Sequence, residues 1–400
     1  MSAPSIRADV VVFGGGIAGL WTLEALVRAG YGAVLLEAAS LGAGQTIWSQ
    51  GIIHGGAKYT LRGLSDRLAH VTRVIADMPR VWSEALAGRG PGPDLSRTLL
   101  LAPHCHLWRT GGMASWAGIR AAGQVLKTPV VELPRAEWPA ALAGVPGEVY
   151  RLDEQVVSPH SLVADFATQH SGRCLRIAPS PLANATAEAS GVRFAATLPD
   201  GSELVVEAAR VVLCAGAGNA ALRGAFGLDP RRQQIRPLKM AMVRGPGLTA
   251  LRGHCVDGAK TRVTITSDTD SQGRTVWQVG GQIAEDAPGM DEAALRARVV
   301  EELRATIPGV DLAGLEVAFY EANRAEEATE QGFRPDDASV LAEGPVLTVW
   351  PTKLALAPRA AELVLERLAA PPTGRCELPA NAPRPDVCPP PWETAAWTPA

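Results

Sequence analysis

A glycine-rich turn near the amino terminus constrains this chain more than any other feature. Stretch 10–13 is a run of valines ending in phenylalanine, and it leads directly into Gly-Gly-Gly-Ile-Ala-Gly at 14–19. A helical pattern follows, and then a second apolar stretch, 34–36, which ends at Glu37. Glycines at these spacings permit a tight turn and let a pyrophosphate approach the backbone, while the acidic residue accepts hydrogen bonds from a ribose. The sequence therefore predicts a βαβ unit that binds the adenosine diphosphate part of a dinucleotide.

Three further segments are expected to reach the same cofactor. The loop 38–45 and the segment 46–59 follow the second strand, and their mixture of polar residues and glycine suits backbone that passes close to a flat ligand. The apolar stretch 210–214 ends in small residues, which is typical of a strand that returns to the sheet and turns near the cofactor. The residues expected to bind the cofactor are Gly14, Gly16, Ile17, Ala18, Gly19, Glu37, Ala38, Gln45, Thr46, Ser49, Gln50, Gly51, Ala215 and Gly216.

Length and composition limit the class of protein. A chain of 400 residues exceeds the size at which one core usually keeps growing, so two domains are expected. A formal net charge of −3, without a basic run, argues against a surface that binds nucleic acid. The stretch 1–8 is too short and polar for a signal peptide, and no apolar run reaches the ~18 residues of a spanning helix. We therefore expect a cytoplasmic protein without a transmembrane segment.

The cysteines and histidines show no metal-binding spacing. Six cysteines are scattered along the chain without a CxxC pair, which predicts reduced structural thiols. His104 and His106 alternate on a predicted strand and have no evident Cys or carboxylate partner, so a structural role is expected. The sequence predicts no metal site.

The order of strand and helix patterns predicts two interleaved domains. The expected fold class is α/β, a Rossmann-like cofactor-binding domain interleaved with an α+β substrate domain that carries a mainly antiparallel sheet. The predicted bounds are 1–80, 150–225 and 325–370 for the cofactor-binding domain, 81–149 and 226–324 for the substrate domain, and 371–400 for a proline-rich tail.

Three local expectations accompany this fold. Stretches 97–103 and 105–109 are predicted to be paired strands, and a helix is predicted around 115–122. Because the tail 371–400 is rich in proline, we expect it to be extended or poorly ordered.

The same residues resemble a known family. Residues 9–19 with Glu37, the loop 38–46, the strand and turn at 210–219 and Leu-Ala-Leu-Ala-Pro at 354–358 are similar to FAD-dependent oxidoreductases of the D-amino-acid oxidase superfamily. The resemblance covers residues 8 to about 369 in order. Within that superfamily, Ile-His-Gly-Gly-Ala-Lys-Tyr at 53–59 resembles a segment of flavin-linked glycerol-3-phosphate dehydrogenases and, more loosely, of L-2-hydroxyglutarate dehydrogenases.

The resemblance implies FAD in an extended form, with its adenosine end on the glycine turn and its isoalloxazine near 48–56. Since 48–50 contains neither His nor Cys, we expect the FAD to be bound non-covalently. Carried over residue by residue, the resemblance implies that Lys58, Tyr59, Arg324 and Lys353 contact the substrate and that Leu354 contacts the cofactor.

Three side chains are candidates for the chemistry. A flavin accepts a hydride from carbon next to oxygen or nitrogen, so the protein must remove a proton and hold any anionic group. His54 suits a base because its unperturbed pKa is about 6.5, Arg324 suits a bidentate carboxylate contact, and Lys353 suits stabilisation of anionic reduced flavin. The alternatives are a buried histidine bonded to backbone or flavin, an ion pair of Arg324 with Glu321 or Glu326, and a solvated lysine.

The leading hypothesis is an enzyme that takes a hydride from a C–H next to a hydroxyl of a small acidic substrate onto FAD. An amine or amino-acid oxidase is the first alternative. A flavin-binding subunit without catalysis is the second, suggested by the tryptophans of the tail, and NAD as the sole cofactor is the third. Oxygen, a quinone and a partner protein all stay open as electron acceptor.

Overall fold

A computed structural model describes residues 4–55, 66–110, 130–257, 260–368, 371–379 and 381–400. The predicted helix around 115–122 and the predicted substrate residues Lys58 and Tyr59 lie outside these ranges. No helix within the described ranges combines the length and apolar character that crossing a membrane requires.

Runs of consecutive strands separated by single helices or helix pairs make up the described ranges. The strands are β1 (Ser5–Phe13), β2 (Ala33–Glu37), β3 (Leu100–Ala102), β4 (Cys105–Trp108), β5 (Val130–Glu132), β6 (Val149–Leu152), β7 (Val156–Val157), β8 (Cys174–Arg176), β9 (Ala183–Glu188), β10 (Gly191–Thr197), β11 (Glu203–Leu213), β12 (Gln233–Arg236), β13 (Lys239–Arg244), β14 (Arg252–Asp257), β15 (Lys260–Thr269), β16 (Thr275–Gly280), β17 (Glu316–Glu321), β18 (Arg324–Glu327), β19 (Ser339–Glu343), β20 (Val346–Trp350), β21 (Cys376–Glu377) and β22 (Thr398–Pro399). The helices are α1 (Ile17–Arg28), α2 (Asp66–Leu86), α3 (Pro159–His170), α4 (Asn219–Ala225), α5 (Gln282–Asp286), α6 (Glu292–Thr306), α7 (Ala357–Arg367) and α8 (Pro391–Thr394).

The first sheet contains the predicted βαβ unit. Its main strands lie in the order β19, β20, β11, β1, β2 and β8, and those from β20 to β8 are mutually parallel. Most of β1 is buried, as its continuous apolar sequence predicts for a strand covered on both faces. In open parallel sheets, ligands bind beyond the carboxyl ends of the strands. The carboxyl ends of β1, β2, β11 and β20 are therefore the expected place for the cofactor.

Helices cover one face of this sheet and share a core with it. Trp21 of α1 packs between Trp82 of α2 and Phe166 of α3, with ring centroids 4.7 Å and 5.8 Å away. The indole N–H of Trp82 donates to the carbonyl of Ala355 at 3.0 Å, so this aromatic side chain is both buried and hydrogen-bonded. The packing fixes α1, and with it the helix amino terminus that follows the glycine turn.

The second sheet is mainly antiparallel, which confirms the predicted fold class. Its strands lie in the order β22, β17, β13, β16, β15, β14, β4, β6 and β5, and the pair β14–β4 is parallel. Helix α6 buries Leu295, Val299 and Leu303 in the core of this sheet, at the spacing of one helix face. The domain bounds drawn from the sequence stay a prediction.

The predicted pairing of 97–103 with 105–109 is wrong. β3 pairs with β7, whereas β4 pairs with β6 and β14 and so belongs to the second sheet. The side chains of Cys105 and Trp108 on β4 are fully buried, while Leu100 on β3 is largely exposed. The second sheet offers β4 more apolar surface than a hairpin with β3 would, and burial of apolar surface decides the pairing.

The expectation of a poorly ordered tail is also wrong for its described part. β21 pairs with β1 of the first sheet, and β22 pairs with β17 of the second. The carboxylate of Asp9 accepts hydrogen bonds from the backbone N–H groups of Thr373 and Gly374 at 2.9 Å and 2.8 Å. The tail therefore contacts both sheets, because its tryptophans and backbone find partners that composition alone does not reveal.

Trp392 anchors the tail, and its replacement by alanine should destabilise the protein. Its side chain is 4% exposed and packs with Met242, Val276 and Ala318 of the second sheet. Truncating a buried tryptophan costs ~3–5 kcal/mol, so urea unfolding should show a loss of that size. Phe333→Ala is the control, since Phe333 is 68% exposed and should change little. Equal unfolding midpoints for the two variants would show that the tail does not pack as described.

Candidate active site

A cavity of about 1270 Å³ lies between the two sheets. Its wall includes the carboxyl ends of β1, β2, β11 and β20 on one side, and residues of β13 and β15 on the other. Pockets for single drug-sized ligands measure ~300–1,000 Å³, so this cavity has room for a large cofactor together with a small substrate.

The glycine turn forms one end of the cavity and leaves no space for side chains. A Cβ atom on Gly14 would lie 2.6 Å from the backbone of Ala215, and one on Gly19 would lie 1.9 Å from the carbonyl oxygen of Gly14. Gly14 also has a φ of +99°, a conformation that glycine adopts without strain. Gly14, Gly16, Ile17 and Ala18 line the cavity, whereas Gly19 lies behind them and brings α1 against the turn. This cradle fits the pyrophosphate of a dinucleotide, as the sequence predicts.

Glu37 and Thr46 complete this end. The two carboxylate oxygens of Glu37 accept hydrogen bonds from the backbone N–H groups of Gly15 and Ala39 at 2.5 Å and 2.6 Å. The Thr46 hydroxyl accepts from the N–H of Ile17 at 2.9 Å and so caps the first turn of α1. Glu37, its neighbour Ala38 and Thr46 all line the cavity, as expected for residues close to the cofactor.

The loop 45–51, which follows the first sheet's β2 in the chain, forms hydrogen bonds with strands of the second sheet and with β18. The side-chain amide of Gln50 donates to the carbonyls of Thr264 and Gln278 at 2.9 Å and 3.1 Å. Gln45 accepts from the N–H of Ala325 at 3.0 Å, and Ser49 donates to the carbonyl of Thr46 at 2.8 Å. Gln45, Ser49, Gln50 and Gly51 all line the cavity. The hydrogen bonds of the three side chains hold the loop in place.

A second turn follows β11. The N–H of Ala215 donates to the Asn219 side-chain oxygen at 2.7 Å, and the Asn219 amide donates to the carbonyl of Val349 at 3.1 Å. This buried asparagine links the ends of β11 and β20, and Ala215 and Gly216 line the cavity beside the glycine turn. The predicted strand and turn at 210–219 are confirmed.

A strained turn at Thr352 places Lys353 and Leu354 in the cavity wall. Thr352 has a φ of +59°, and the N–H of Lys353 donates to the carbonyl of Pro351 at 2.6 Å, which closes a γ-turn. The Thr352 hydroxyl is buried and has no hydrogen-bond partner among the described residues. The Lys353 ammonium is mostly buried and donates to the carbonyl of Asp336 at 3.5 Å. Backbone strain and an unpaired buried hydroxyl in a cavity wall are typical of a site that binds a ligand.

His54 lies close to Glu154 and His254, two residues whose role the sequence does not predict. Its Nδ1 lies 3.2 Å from Glu154 Oε2, and Nε2 of His254 lies 3.6 Å from the same oxygen. The N–H of Gly55 donates to Glu154 Oε1 at 3.0 Å, and His254 Nδ1 lies 2.9 Å from the Thr264 hydroxyl. The Glu154 and His254 side chains are 1% exposed, while His54 lines the cavity. Within the described ranges, these three side chains form a cluster able to hold a metal ion.

The Glu154 carboxyl stays ionised in spite of its burial. Burial alone would raise its pKa, but the charges and hydrogen bonds of His54 and His254 outweigh that effect and hold the pKa well below its usual range. A buried carboxylate costs free energy unless it is paired. The contacts of Glu154 with His54 and His254 therefore stabilise its buried charge.

Arginines also line the cavity. Arg324 forms a bidentate ion pair with Glu285, at 2.7 Å and 2.8 Å, and Arg236 forms another with buried Glu326 at 2.6 Å and 2.9 Å. The hydrogen bonds from Arg324 are the main cause that keeps the pKa of Glu285 below its ordinary value. The predicted ion pair of Arg324 therefore exists, with Glu285 as partner rather than Glu321 or Glu326. Its contact with substrate stays a prediction.

Arg334 differs from these two arginines. It lines the cavity and donates to the carbonyl of Thr352 at 3.1 Å, and no acidic side chain of the described residues lies within ion-pair distance. Its buried Nε has no hydrogen-bond partner there either. Arg334 thus keeps donors that can bind an anion, and together with Arg236, Arg324 and Lys353 it gives this part of the cavity an excess of positive charge.

The fold and the cavity define a dinucleotide-dependent oxidoreductase. The family model described as FAD dependent oxidoreductase matches residues 9–357, and the chain belongs to that family. Its cofactor is accordingly FAD, and the protein is an enzyme.

Similar proteins support the same conclusion. The probable FAD-dependent oxidoreductase PA4991 of Pseudomonas aeruginosa is 40% identical over 401 residues, which cover 98% of this chain and 99% of that protein. Its crystal structure matches with a TM-score of 0.79 at 36% identity, over 98% of this chain and 99% of that chain.

Two more distant structures share the fold. Glycine oxidase from Geobacillus kaustophilus matches with a TM-score of 0.64 at 18% identity, covering 90% of this chain and 94% of that chain. L-α-glycerophosphate oxidase from Mycoplasma pneumoniae, a structure with FAD bound, matches with a TM-score of 0.67 at 12% identity, covering 96% and 99%. At these identities the likeness shows a shared fold.

Proposed function

We propose that the protein oxidises a carbon that bears a hydroxyl group in a small anionic substrate. The observation that carries this proposal is the pairing of His54 with the buried carboxylate of Glu154 in a cavity that is also lined by Arg334, which has no acidic partner among the described residues. His54 acts as the base, and Arg334 anchors the anionic group. The residues of the glycine turn, Glu37, the loop 45–51, Ala215, Gly216 and Leu354 hold FAD without a covalent bond.

The Glu154 carboxylate selects the tautomer of His54. An ionised carboxylate accepts hydrogen bonds, so the hydrogen of a neutral His54 ring resides on Nδ1 and donates to Glu154. Nε2 then has its lone pair and can accept a proton. A hydrogen-bonded carboxylate behind a histidine also stabilises the imidazolium that forms when the proton arrives.

Oxidation of an alcohol requires such a base. The O–H bond breaks with loss of a proton to Nε2, the adjacent C–H bond breaks with loss of a hydride, and a carbonyl group results. FAD supplies the hydride acceptor when it is bound. A neutral amine needs no base of this strength, because its nitrogen lone pair assists the departure of the hydride. The His54–Glu154 pair therefore favours a hydroxyl donor over an amine donor.

A panel of donors tests the reaction type. Purified protein is mixed without oxygen with 2-hydroxy acids, glycerol phosphates and amino acids, and loss of the visible flavin band is followed. We expect bleaching by one or more hydroxy compounds that carry an acidic group. Bleaching by amino acids alone would overturn the proposal in favour of an amine oxidase, and a flavin that no donor bleaches would support a non-catalytic subunit.

Arg334→Gln tests the anchor. A hydrogen bond to a charged group contributes ~1.5–3 kcal/mol, so loss of the guanidinium should lower kcat/KM for the donor about 10- to 150-fold, mainly through KM. Arg231→Gln is the matched control, because the side chain of Arg231 is 89% exposed and pairs only locally with Asp229. Equal KM values for Arg334→Gln and the control would mean that Arg334 does not contact the substrate.

A further inference from the structure

We propose that His54, Glu154 and His254 bind one divalent transition-metal ion of the zinc type, and that this ion switches off the base. The inhibitory part rests on the proposed role of His54, whereas metal binding does not. Two imidazoles and one carboxylate are a donor set that zinc uses when a fourth position is left open. Magnesium and calcium prefer oxygen ligands, so they fit this cluster poorly.

The distances within the cluster are also compatible with a shared metal ion. Charge-assisted N–H···O bonds are typically ~2.7–2.9 Å long, and Nε2 of His170 lies 2.7 Å from a Glu24 oxygen in this protein. The two histidine nitrogens of the cluster lie 3.2 Å and 3.6 Å from Glu154 Oε2. Ligand atoms around a tetrahedral zinc ion with bonds of ~2.0–2.2 Å lie about 3.4 Å apart. All three donor atoms lie within 4.8 Å of one another, so small rotations of the two rings complete the site.

The groups around the cluster hold its ligands in place. The N–H of Gly55 bonds to the second oxygen of Glu154, and the Thr264 hydroxyl bonds to the second nitrogen of His254. Outer hydrogen bonds of this kind orient metal ligands and strengthen binding. His54 is 17% exposed and lines the cavity, so an ion can reach the otherwise buried cluster from that side.

Metal binding would change what His54 presents to the substrate. An ion on Nδ1 displaces the hydrogen from that nitrogen, and a neutral ring then bears its hydrogen on Nε2. Nε2 becomes a donor and can no longer accept the hydroxyl proton. One zinc ion per chain should therefore stop oxidation without displacing FAD.

Calorimetric titration of the chelator-treated, FAD-bound enzyme with zinc chloride tests the site. We expect one zinc ion per chain, and His254→Gln and Glu154→Gln should each weaken binding at least tenfold. His104→Gln is the matched control and should bind zinc as the wild type does, because His104 is outside the cluster. Circular dichroism and flavin content establish that the variants fold. Zinc affinity that is unchanged in both cluster variants would overturn the proposal.

Two further measurements separate the parts of the proposal. X-ray absorption at the zinc edge of the wild-type enzyme should show two imidazole nitrogens and one carboxylate oxygen, and a different ligand set would overturn the site even if a variant misfolds. Bound zinc should abolish donor-dependent bleaching, and a chelator should restore it. Continued bleaching with zinc bound at these ligands would refute inhibition and the role of His54 as base, while the metal site would stand. Absence of zinc binding would refute the site and leave that role intact.

Discussion

His54→Asn is expected to slow flavin reduction by the donor about 10²- to 10⁴-fold, the usual contribution of a general base. Asparagine keeps an N–H group near the position of Nδ1, so the bond to Glu154 and the charge balance of the buried cluster are retained. It has no nitrogen that can accept a proton in place of Nε2. The measurement is anaerobic stopped-flow spectroscopy at saturating donor.

His104→Asn is the control for this variant, since it makes the same replacement away from the cavity and should reduce flavin at the wild-type rate. Added imidazole should accelerate a His54→Ala variant, because a free base can enter the space that the ring leaves. A His54→Asn variant with full flavin content and a wild-type rate would show that another group removes the proton.

Gly19→Ala is expected to deprive the protein of FAD. The added Cβ would lie 1.9 Å from the carbonyl oxygen of Gly14, so α1 and the glycine turn must separate. Overpacking of this kind costs ~1–3 kcal/mol, and because the displaced groups are those expected to hold the pyrophosphate, FAD affinity should fall about 5- to 150-fold. Flavin content after purification and a fluorescence titration with FAD measure the loss.

Gly224→Ala is the matched control, because a Cβ there meets no atom within 4 Å and the residue lies inside a helix. It should bind FAD as the wild type does and fold at least as stably. Wild-type FAD affinity in Gly19→Ala would mean that the close approach of α1 to the turn does not position the cofactor.

The cofactor end of the site was predictable because its determinants are local. Gly14, Gly16, Gly19 and Glu37 lie within one βαβ unit, in which turn geometry, helix start and strand end follow from residues a few positions apart. Asp291 caps α6 and Ser158 caps α3 as their sequences indicate, for the same reason. Patterns of this kind need no knowledge of how distant segments meet.

The substrate end was not predictable in the same way. Glu154 lies 100 positions from His54 and His254 a further 100 beyond it. They meet because the segment at 51–53 bonds to 155–157, while β4 pairs with β6 on one side and with β14 on the other. Arg334 lies in a loop without periodicity, and only the structure shows that no carboxylate of the described residues pairs with it. Glu154 gives only a weak signal in the sequence, because a glutamate that becomes buried cannot be told there from the many that stay exposed.

The errors in pairing and in the tail have a common origin. Proximity in sequence suggested a hairpin for β3 and β4. Proline content suggested a tail at 371–400 that is extended or poorly ordered, and only the second of these alternatives is wrong. In both cases burial of a large side chain outweighed the local pattern. Trp108 on β4 and Trp392 in the tail are both buried. Large aromatic residues near proline or in short strands are thus better evidence of packing than the composition around them.

The central claim is that the protein oxidises a hydroxyl-bearing carbon in a small substrate whose anionic group Arg334 holds. Anaerobic mixing of the enzyme with a 2-hydroxy acid that it oxidises, and in parallel with the uncharged amide of the same acid, tests it most directly. We predict that the acid bleaches the flavin and that the amide reacts at least tenfold more slowly at equal concentration. Equal rates for the acid and the amide would contradict the claim.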